Sequence, residues 1–305
     1  GGITPHTATI DLVVDGGLSA SEALAETDLV RFPDPSSLEF EMVHTDPSVI
    51  RFAGLPTGLK HVEIWLAQNA STMLRELRLD DGASLEPPPP SDRRRWVHYG
   101  SSISHCMEAD HPTGTWPAVV ARAVDVDLYS LGLAGQCHLD QFAARTIRDL
   151  PADLISLKLG INVVNADSMR ERAFVPAVHG VLDTIRDGHP DTPIVVISPI
   201  ICPVAEDHPG PTLPNAEGRF DVLERPDRLQ PGALSLSRIR TLLEMVVAQR
   251  RGAGDAHLHY LHGYELFGAD DVDDLSDGLH PNSAGYQRMG ERFAAYAFAP
   301  DGPFA

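Results

Sequence analysis

The chain has 305 residues, enough for one large domain or for a domain of ordinary size with a smaller companion. Its formal charge of −19, with Lys60 and Lys158 the only lysines and Arg93-Arg94-Arg95 the only basic run, argues against nucleic acid, whose binding needs clustered Lys and Arg. No apolar run approaches the roughly 20 residues that span a bilayer, so no membrane partner is expected either, and small molecules are the expected ligands. The arginine-heavy, lysine-poor composition fits a GC-rich genome.

Three cysteines, Cys106, Cys137 and Cys202, are an odd number without C-x-x-C spacing. They indicate neither a disulfide framework nor a zinc site and read as small buried residues. The chain opens at Gly1-Gly2-Ile3 with no signal-peptide pattern, and a cytoplasmic location is expected. The sequence does not specify an oligomeric state.

In chain order, β-rich runs stand at Thr9–Val14, Leu38–Val43, Val49–Phe52, Val62–Ala67 and Leu74–Leu79, with turn signals at Pro56-Thr57-Gly58 and Asp80-Asp81-Gly82. Residues 1–86 therefore read as a small β-sandwich, jelly-roll-like, and 87–95, with four consecutive prolines, as a stiff linker. From 96 to 305 short apolar runs alternate with helical periodicity. Trp96–Tyr99, Val126–Leu131, Leu154–Leu159, Ile194–Ile200 and His257–Leu261 read as strands. Trp116–Val124, Leu139–Leu150, Phe174–Asp187, Leu236–Arg250 and Ser283–Phe298 read as helices. Such alternation implies an α/β fold, a parallel sheet sandwiched between helices, with its chemistry in the loops after the strands. The segment from Cys202 to Gly232, rich in Pro, Gly and acidic residues, has no clear period and reads as a substrate-covering excursion.

Those loops carry reactive groups. After the first strand of this region comes Gly100-Ser101-Ser102-Ile103-Ser104, a tight turn with hydroxyls; after the second, Gly132-Leu133-Ala134-Gly135-Gln136; after the third, Gly160-Ile161-Asn162. Near the C-terminus Asp277 precedes His280 by three positions. Alone, that pair is either a capped helix start with an incidental His or a base held by its carboxylate. With a hydroxyl, glycine backbone and an amide converging on it, acyl-transfer chemistry becomes the coherent reading. Pro281 suits the first turn of the following helix, with Asn282 or Ser283 satisfying its free amides.

The four segments together resemble the blocks of the SGNH/GDSL hydrolase superfamily, in order over residues 96 to 298. The resemblance implies that Ser102 is the nucleophile, His280 the base and Asp277 its orienting carboxylate. It implies that Ser102, Gly135 and Asn162 form the oxyanion hole. The family needs no cofactor and no metal; an acyl thioester such as acyl-CoA is the implied donor where the acyl group is transferred. Two departures stand out, because Ser101 and Val163 replace the usual Asp of the first and third blocks.

The remaining polar residues have plainer readings. Ser101 bonds its own turn, Ser104 caps a helix, His98 and His105 are structural supports, and His138 sits at a helix start or reaches the cleft. His257, His259 and His262 lack ligand-spaced partners, and Asp270, Asp271, Asp273 and Asp274 form a solvated approach to the catalytic turn.

Three functions compete. An acyltransferase would pass the acyl group to a hydroxyl of a natural product; an esterase would pass it to water, from an acylated small molecule or carbohydrate; a pseudo-hydrolase would only bind a glycan or partner. The chain is similar to two-domain actinobacterial GDSL proteins, including a salicylyl acyltransferase of tetracycline tailoring, which favours the first.

Overall fold

In the computed structural model of the protein, residues 7–25, 27–31 and 39–305 are described. The chain divides into two compact units. One holds the described residues up to Pro90 with Asp110–Thr113, and the other Ser91–Ala109 with Gly114–Ala305.

The first unit is built of small antiparallel sheets. β1 (Thr9–Val14) turns through Asp15-Gly16, both at positive φ, into β2 (Gly17–Ala23). This is the Asp-Gly hairpin signature, yet β2 escapes a hydrophobic reading because its side chains are almost all exposed. β3 (Leu29–Arg31) pairs with β4 (Glu41–Val43), and β5 (Val62–Trp65) joins the open edge of β1. Two expected strands fail. Val49–Phe52 and Leu74–Leu79 have the alternation but no ladder partner: Ile50 and Phe52 pack on the small core of Ala8, Ile10 and Ala67, while Leu74, Leu77 and Leu79 are exposed. Leu38, the start of another expected run, lies outside the described residues.

Asp11 on β1 is fully buried, and its Oδ2 accepts from the Thr113 N–H at 3.0 Å, the Thr113 hydroxyl at 2.6 Å and His111 Nδ1 at 2.9 Å. A buried carboxylate needs such donors, and this knot accounts for the grouping of Asp110–Thr113 with the N-terminal unit, a crossing that nothing in the local sequence announces.

The second unit is an α/β/α fold. β6 (Arg95–Gly100) runs into the one-turn helix α1 (Ser102–His105), followed by α2 (Trp116–Val124) and β7 (Asp127–Gly132). α3 (Gln141–Asp149), β8 (Leu154–Lys158), the short α4 (Ile161–Asn165), α5 (Glu171–Gly188) and β9 (Ile194–Ile197) come next. Pro199 has no N–H for a ladder, which accounts for β9 ending short of the expected Ile200. The 202–232 excursion contains a hairpin of β10 (Thr212–Pro214) and β11 (Phe220–Val222). α6 (Leu236–Gly252), β12 (Leu258–Leu261) and α7 (Ser283–Ala297) complete the unit.

The five central strands are all parallel, ordered β12-β9-β8-β6-β7. Successive strands diverge from β6, first to β7 and then to β8, so the switch in strand order lies at β6, where a crevice opens beyond the strand ends. Trp96 of β6 stacks on Phe293 of α7 at 5.4 Å between centroids, with Trp116 of α2 edge-on to the same ring. Among the described residues no helix is long and apolar enough to cross a membrane.

Candidate active site

The site assembles at the carboxyl ends of β6, β7 and β8. Ser102 opens α1 directly after β6 and is partly buried; Ser101 is the N-cap, its hydroxyl accepting from the Ile103 N–H at 3.3 Å. Ser101 thus bonds its own turn as its position suggests. Ser104 does not cap: its hydroxyl is drawn to His98 Nε2 at 2.8 Å, and His98 Nδ1 meets Ser156 Oγ at 2.7 Å. His98 is completely buried, and burial, helped by the Lys158 charge, pushes its imidazole down to about 3, so it stays neutral under the turn. The turn is tight because Gly132 ends β7 beside it. A Cβ on Gly132 would lie 2.6 Å from the His105 nitrogen and 2.7 Å from its Cα.

Ser102 Oγ lies 2.8 Å from His280 Nε2, and His280 Nδ1 lies 2.7 Å from Asp277 Oδ2. A carboxylate can only accept, so Nδ1 carries the hydrogen and Nε2 is left to take the serine proton. Asp277 Oδ1 accepts from the backbone N–H groups of Leu279 and His280 at 2.9 and 2.7 Å, which explains the three-residue spacing: the turn closes on the carboxylate that orients the ring. Asn282 caps α7, accepting from Gly285 N–H at 2.9 Å, so Pro281 stands before the cap and not in the first helical turn. The preceding acidic stretch is a solvated approach only in part, since Asp270 and Asp273 are exposed while the other two are engaged. Asp271 is buried, caps the Gly268 N–H and pairs with Arg288 and Arg292, and Asp274 holds Asn282 and Arg288. It is a bracket fixing the turn to α7.

Burial alone would raise the Asp277 carboxyl, but hydrogen bonds from the His280 ring and the turn amides outweigh it and hold it below the usual range. For His280 burial disfavours the imidazolium; the Asp277 hydrogen bond, then the charges of Glu108 and Asp277, prevail and raise it, with Lys158 opposing.

Asn162 begins the second residue of α4, buried, after β8. Its Oδ1 accepts from Cys137 N–H at 3.0 Å, and since a backbone N–H can face only an acceptor, the amide NH2 turns the other way. Gly135, in the loop after β7, has φ +69° and its carbonyl meets His138 Nε2 at 3.1 Å. Among the described residues, the Ser102 N–H, the Gly135 N–H and the Asn162 NH2 have no hydrogen-bond partner, three unoccupied donors on the loops after adjacent strands. His138 also bonds Ser168 Oγ at 2.9 Å, so it props the Gly135 loop.

Several features were not visible in the motifs. Glu108 puts Oε1 3.6 Å from His280 Nδ1 while Tyr286 O–H donates to its Oε2 at 2.7 Å. Lys158, buried beside these groups, has no partner for its Nζ among the described residues, and burial pushes its ammonium down to about 8. β11 lies on the Asp277–His280 turn: Phe220 N–H donates to the Asp277 carbonyl at 3.1 Å and the Phe220 ring stands edge-on to His280. The three cysteines are buried thiols, pushed up by burial; Cys202 S–H points at the Gly278 carbonyl. Donor atoms of Glu108, Asp277 and His280 fall within 4.8 Å of one another, a spacing that could hold a cation, yet each already has a partner inside this network.

A family model of GDSL-like lipases and acylhydrolases matches residues 98–288. The chain belongs to this family. It is an enzyme of the acyl-transfer and ester-hydrolysis class. Among solved structures, the salicylyl-acyltransferase SsfX3 from a tetracycline biosynthetic pathway is 30% identical, with 95% of this chain and 73% of that chain covered and a TM-score of 0.72. A protein of Bacteroides ovatus described as a GDSL-like lipase (19% identity, 95% and 73% covered, TM-score 0.60) shares the fold. So does a family two carbohydrate esterase of Clostridium thermocellum (16%, 95% and 84%, TM-score 0.61). Among curated proteins none matches the chain. The shared fold agrees with the α/β/α architecture of the second unit.

Proposed function

We propose that the protein is a serine O-acyltransferase that esterifies a hydroxyl of a natural product from an acyl thioester donor, through an acyl-enzyme on Ser102. The observation that carries this reading is the unbroken chain Ser102–His280–Asp277, at 2.8 and 2.7 Å, with three donors unpaired among the described residues on the loops after β6, β7 and β8. As Ser102 Oγ attacks the acyl carbonyl, its proton passes to His280 Nε2, and Asp277 stabilises the resulting imidazolium. The carbonyl oxygen becomes an oxyanion accepting from the Ser102 and Gly135 N–H groups and the Asn162 amide. Collapse expels the thiolate, which leaves with the His280 proton; the acceptor hydroxyl, its proton taken by His280, then attacks the acyl carbonyl, and Ser102 Oγ leaves with that proton as the new ester is released.

Transfer is favoured over hydrolysis by two features. The Phe220 hairpin stands against His280, where it shields the base from water, and the 30%-identical relative is itself an acyltransferase of a tetracycline pathway. The substrates are small molecules, and the N-terminal unit is proposed as a separate accessory domain to about residue 86.

Incubation with a panel of acyl thioesters followed by intact-mass measurement should show one acyl group on the wild type and none on Ser102→Ala. Adding hydroxyl acceptors should discharge it to a new ester faster than water does. Full activity of Ser102→Ala would overturn the reading; rapid hydrolysis with no ester product from any acceptor would make the enzyme an esterase.

A further inference from the structure

His280 faces two carboxylates. Asp277 Oδ2 takes the Nδ1 hydrogen at 2.7 Å, and Glu108 Oε1 waits 3.6 Å from the same nitrogen. Both Glu108 and His280 are little exposed, at 13% and 11% of their side chains. A carboxylate buried this far needs donors, and Glu108 has one in the hydroxyl of Tyr286, itself fully buried on the first turn of α7. The other groups around the imidazole are Ser102 from α1, the Phe220 ring from β11 with the Arg219 side chain near Gly278, Cys202 on the Gly278 carbonyl, and Lys158 from β8. None of these supplies a second negative charge beside Nδ1.

We infer that Glu108, held by Tyr286, is a reserve orienting carboxylate: it shares the imidazolium charge with Asp277 and takes over the Nδ1 hydrogen when Asp277 is lost. The inference rests on the reading of Ser102 as nucleophile and His280 as base. In the step concerned the Ser102 O–H bond breaks, an Nε2–H bond forms, and the Nδ1 hydrogen stays on the ring, so the positive charge arises beside both carboxyl groups. To replace Asp277, Glu108 must approach by under about 1 Å to reach the ~2.7–2.9 Å of a charge-assisted hydrogen bond. Removal of the Asp277 side chain vacates that space.

The distinguishing property is non-additivity. Neutralising the orienting carboxylate of an ordinary triad costs roughly 10⁴-fold in turnover. Here Asp277→Ala should lose only about 10- to 100-fold, and Glu108→Gln less still, because Gln keeps the shape and the acceptor for Tyr286. The Asp277→Ala/Glu108→Gln double variant should approach the roughly 10⁴-fold loss of an ordinary triad, more than the product of the two single losses. Independently of turnover, NMR titration of His280 in isotopically labelled Ser102→Ala protein should give a lower His280 pKa once Glu108→Gln is added, and thermal melts should show both proteins folded. Asp277→Ala as inactive as the double variant, or an unchanged His280 titration, would overturn the inference. Retained activity in Ser102→Ala, or no labelling of Ser102 by a fluorophosphonate, would instead remove the nucleophile assignment while the titration still tests Glu108.

Discussion

The Phe220 ring stands edge-on to His280, with centroids 5.7 Å apart and planes at 71°, while the Phe220 N–H holds the carbonyl of Asp277 at 3.1 Å. One residue of the 202–232 excursion thus braces the Asp277–His280 turn through its backbone and sets its ring against the imidazole. Phe220→Ala keeps the first contact and deletes the second. The expected outcome is a several-fold shift of acyl-enzyme discharge toward water, with the rate of acylation of Ser102 changed by less than about tenfold. Product partition measured against acceptor concentration checks it; an unchanged partition would show that the ring does not exclude water.

The pH profile follows from the charges around His280. As the proposed base, His280 works only when neutral, and its pKa is raised despite burial, by Asp277 and Glu108. Activity should therefore fall on acidification through an apparent pKa above the ordinary imidazole value of about 6.5. Lys158 opposes that shift, so Lys158→Met should move the acid limb of kcat/KM to higher pH. The same variant removes a buried ammonium without a partner, which should raise the melting temperature at pH 7 by about 2–4 °C for each kcal/mol gained. The sign is fixed by the depressed pKa of Lys158, about 8 folded against 10.5 in the unfolded chain. Between those values the unfolded state binds more protons, wild-type stability recovers as pH rises, and the gain from Lys158→Met should shrink. Melting curves from pH 7 to 10 check this.

The predictable part of the molecule was the part written in short-range pattern. The parallel strands announce themselves as buried apolar runs, and Ser102 and Asn162 each stand where a strand has just ended, whereas Asp277 and His280 follow β12 only after two 3-10 turns. The structure brings Ser102, Asp277 and His280 into contact and sets Gly135 and Asn162 on adjacent loops. Glu108 and Lys158 carry no motif: one lies six positions past Ser102 in an unremarkable loop and the other looks like a strand terminus, and only the packing of α7 and β8 under α1 gives them a role. The weak strands of the N-terminal unit failed for a different reason. Alternation at Val49–Phe52 or Leu74–Leu79 is a property of one segment, whereas a ladder needs a partner that local sequence does not reveal.

Asn162 offers a clean separation of support from chemistry. Its Oδ1 anchors the Cys137 N–H while its NH2 faces no protein acceptor among the described residues. Asn162→Asp preserves the acceptor, so the loop should hold, but removes the donor. Turnover should fall by at least roughly 100- to 1000-fold, with little change in melting temperature. Steady-state kinetics beside a thermal melt decide it, since a loss of less than tenfold would exclude Asn162 from the oxyanion site.

Gly132 tests whether the serine turn depends on backbone contact across strands. Its hydrogen in place of a Cβ lets α1 lie against the end of β7; a methyl there would meet the His105 nitrogen at 2.6 Å and the Ser104 carbonyl carbon at 2.8 Å. Those are backbone atoms of the helix that Ser102 begins, so no side chain can rotate away, and relief requires α1 to move. His98 resists that movement from beneath through Ser104, and the Leu133 N–H to Gly100 carbonyl bond resists it from the side. Gly132→Ala should therefore lose about 1–3 kcal/mol of stability, the usual cost of forcing extra volume into a packed site. It should also lose turnover out of proportion to that, because a 1 Å displacement of Ser102 from His280 can cost about 100-fold. The control is Gly252→Ala, at the end of α6, where a Cβ would meet no atom within 4 Å. If Gly132→Ala labels with a fluorophosphonate as fast as wild type, the close approach of β7 to α1 has no part in aiming the serine.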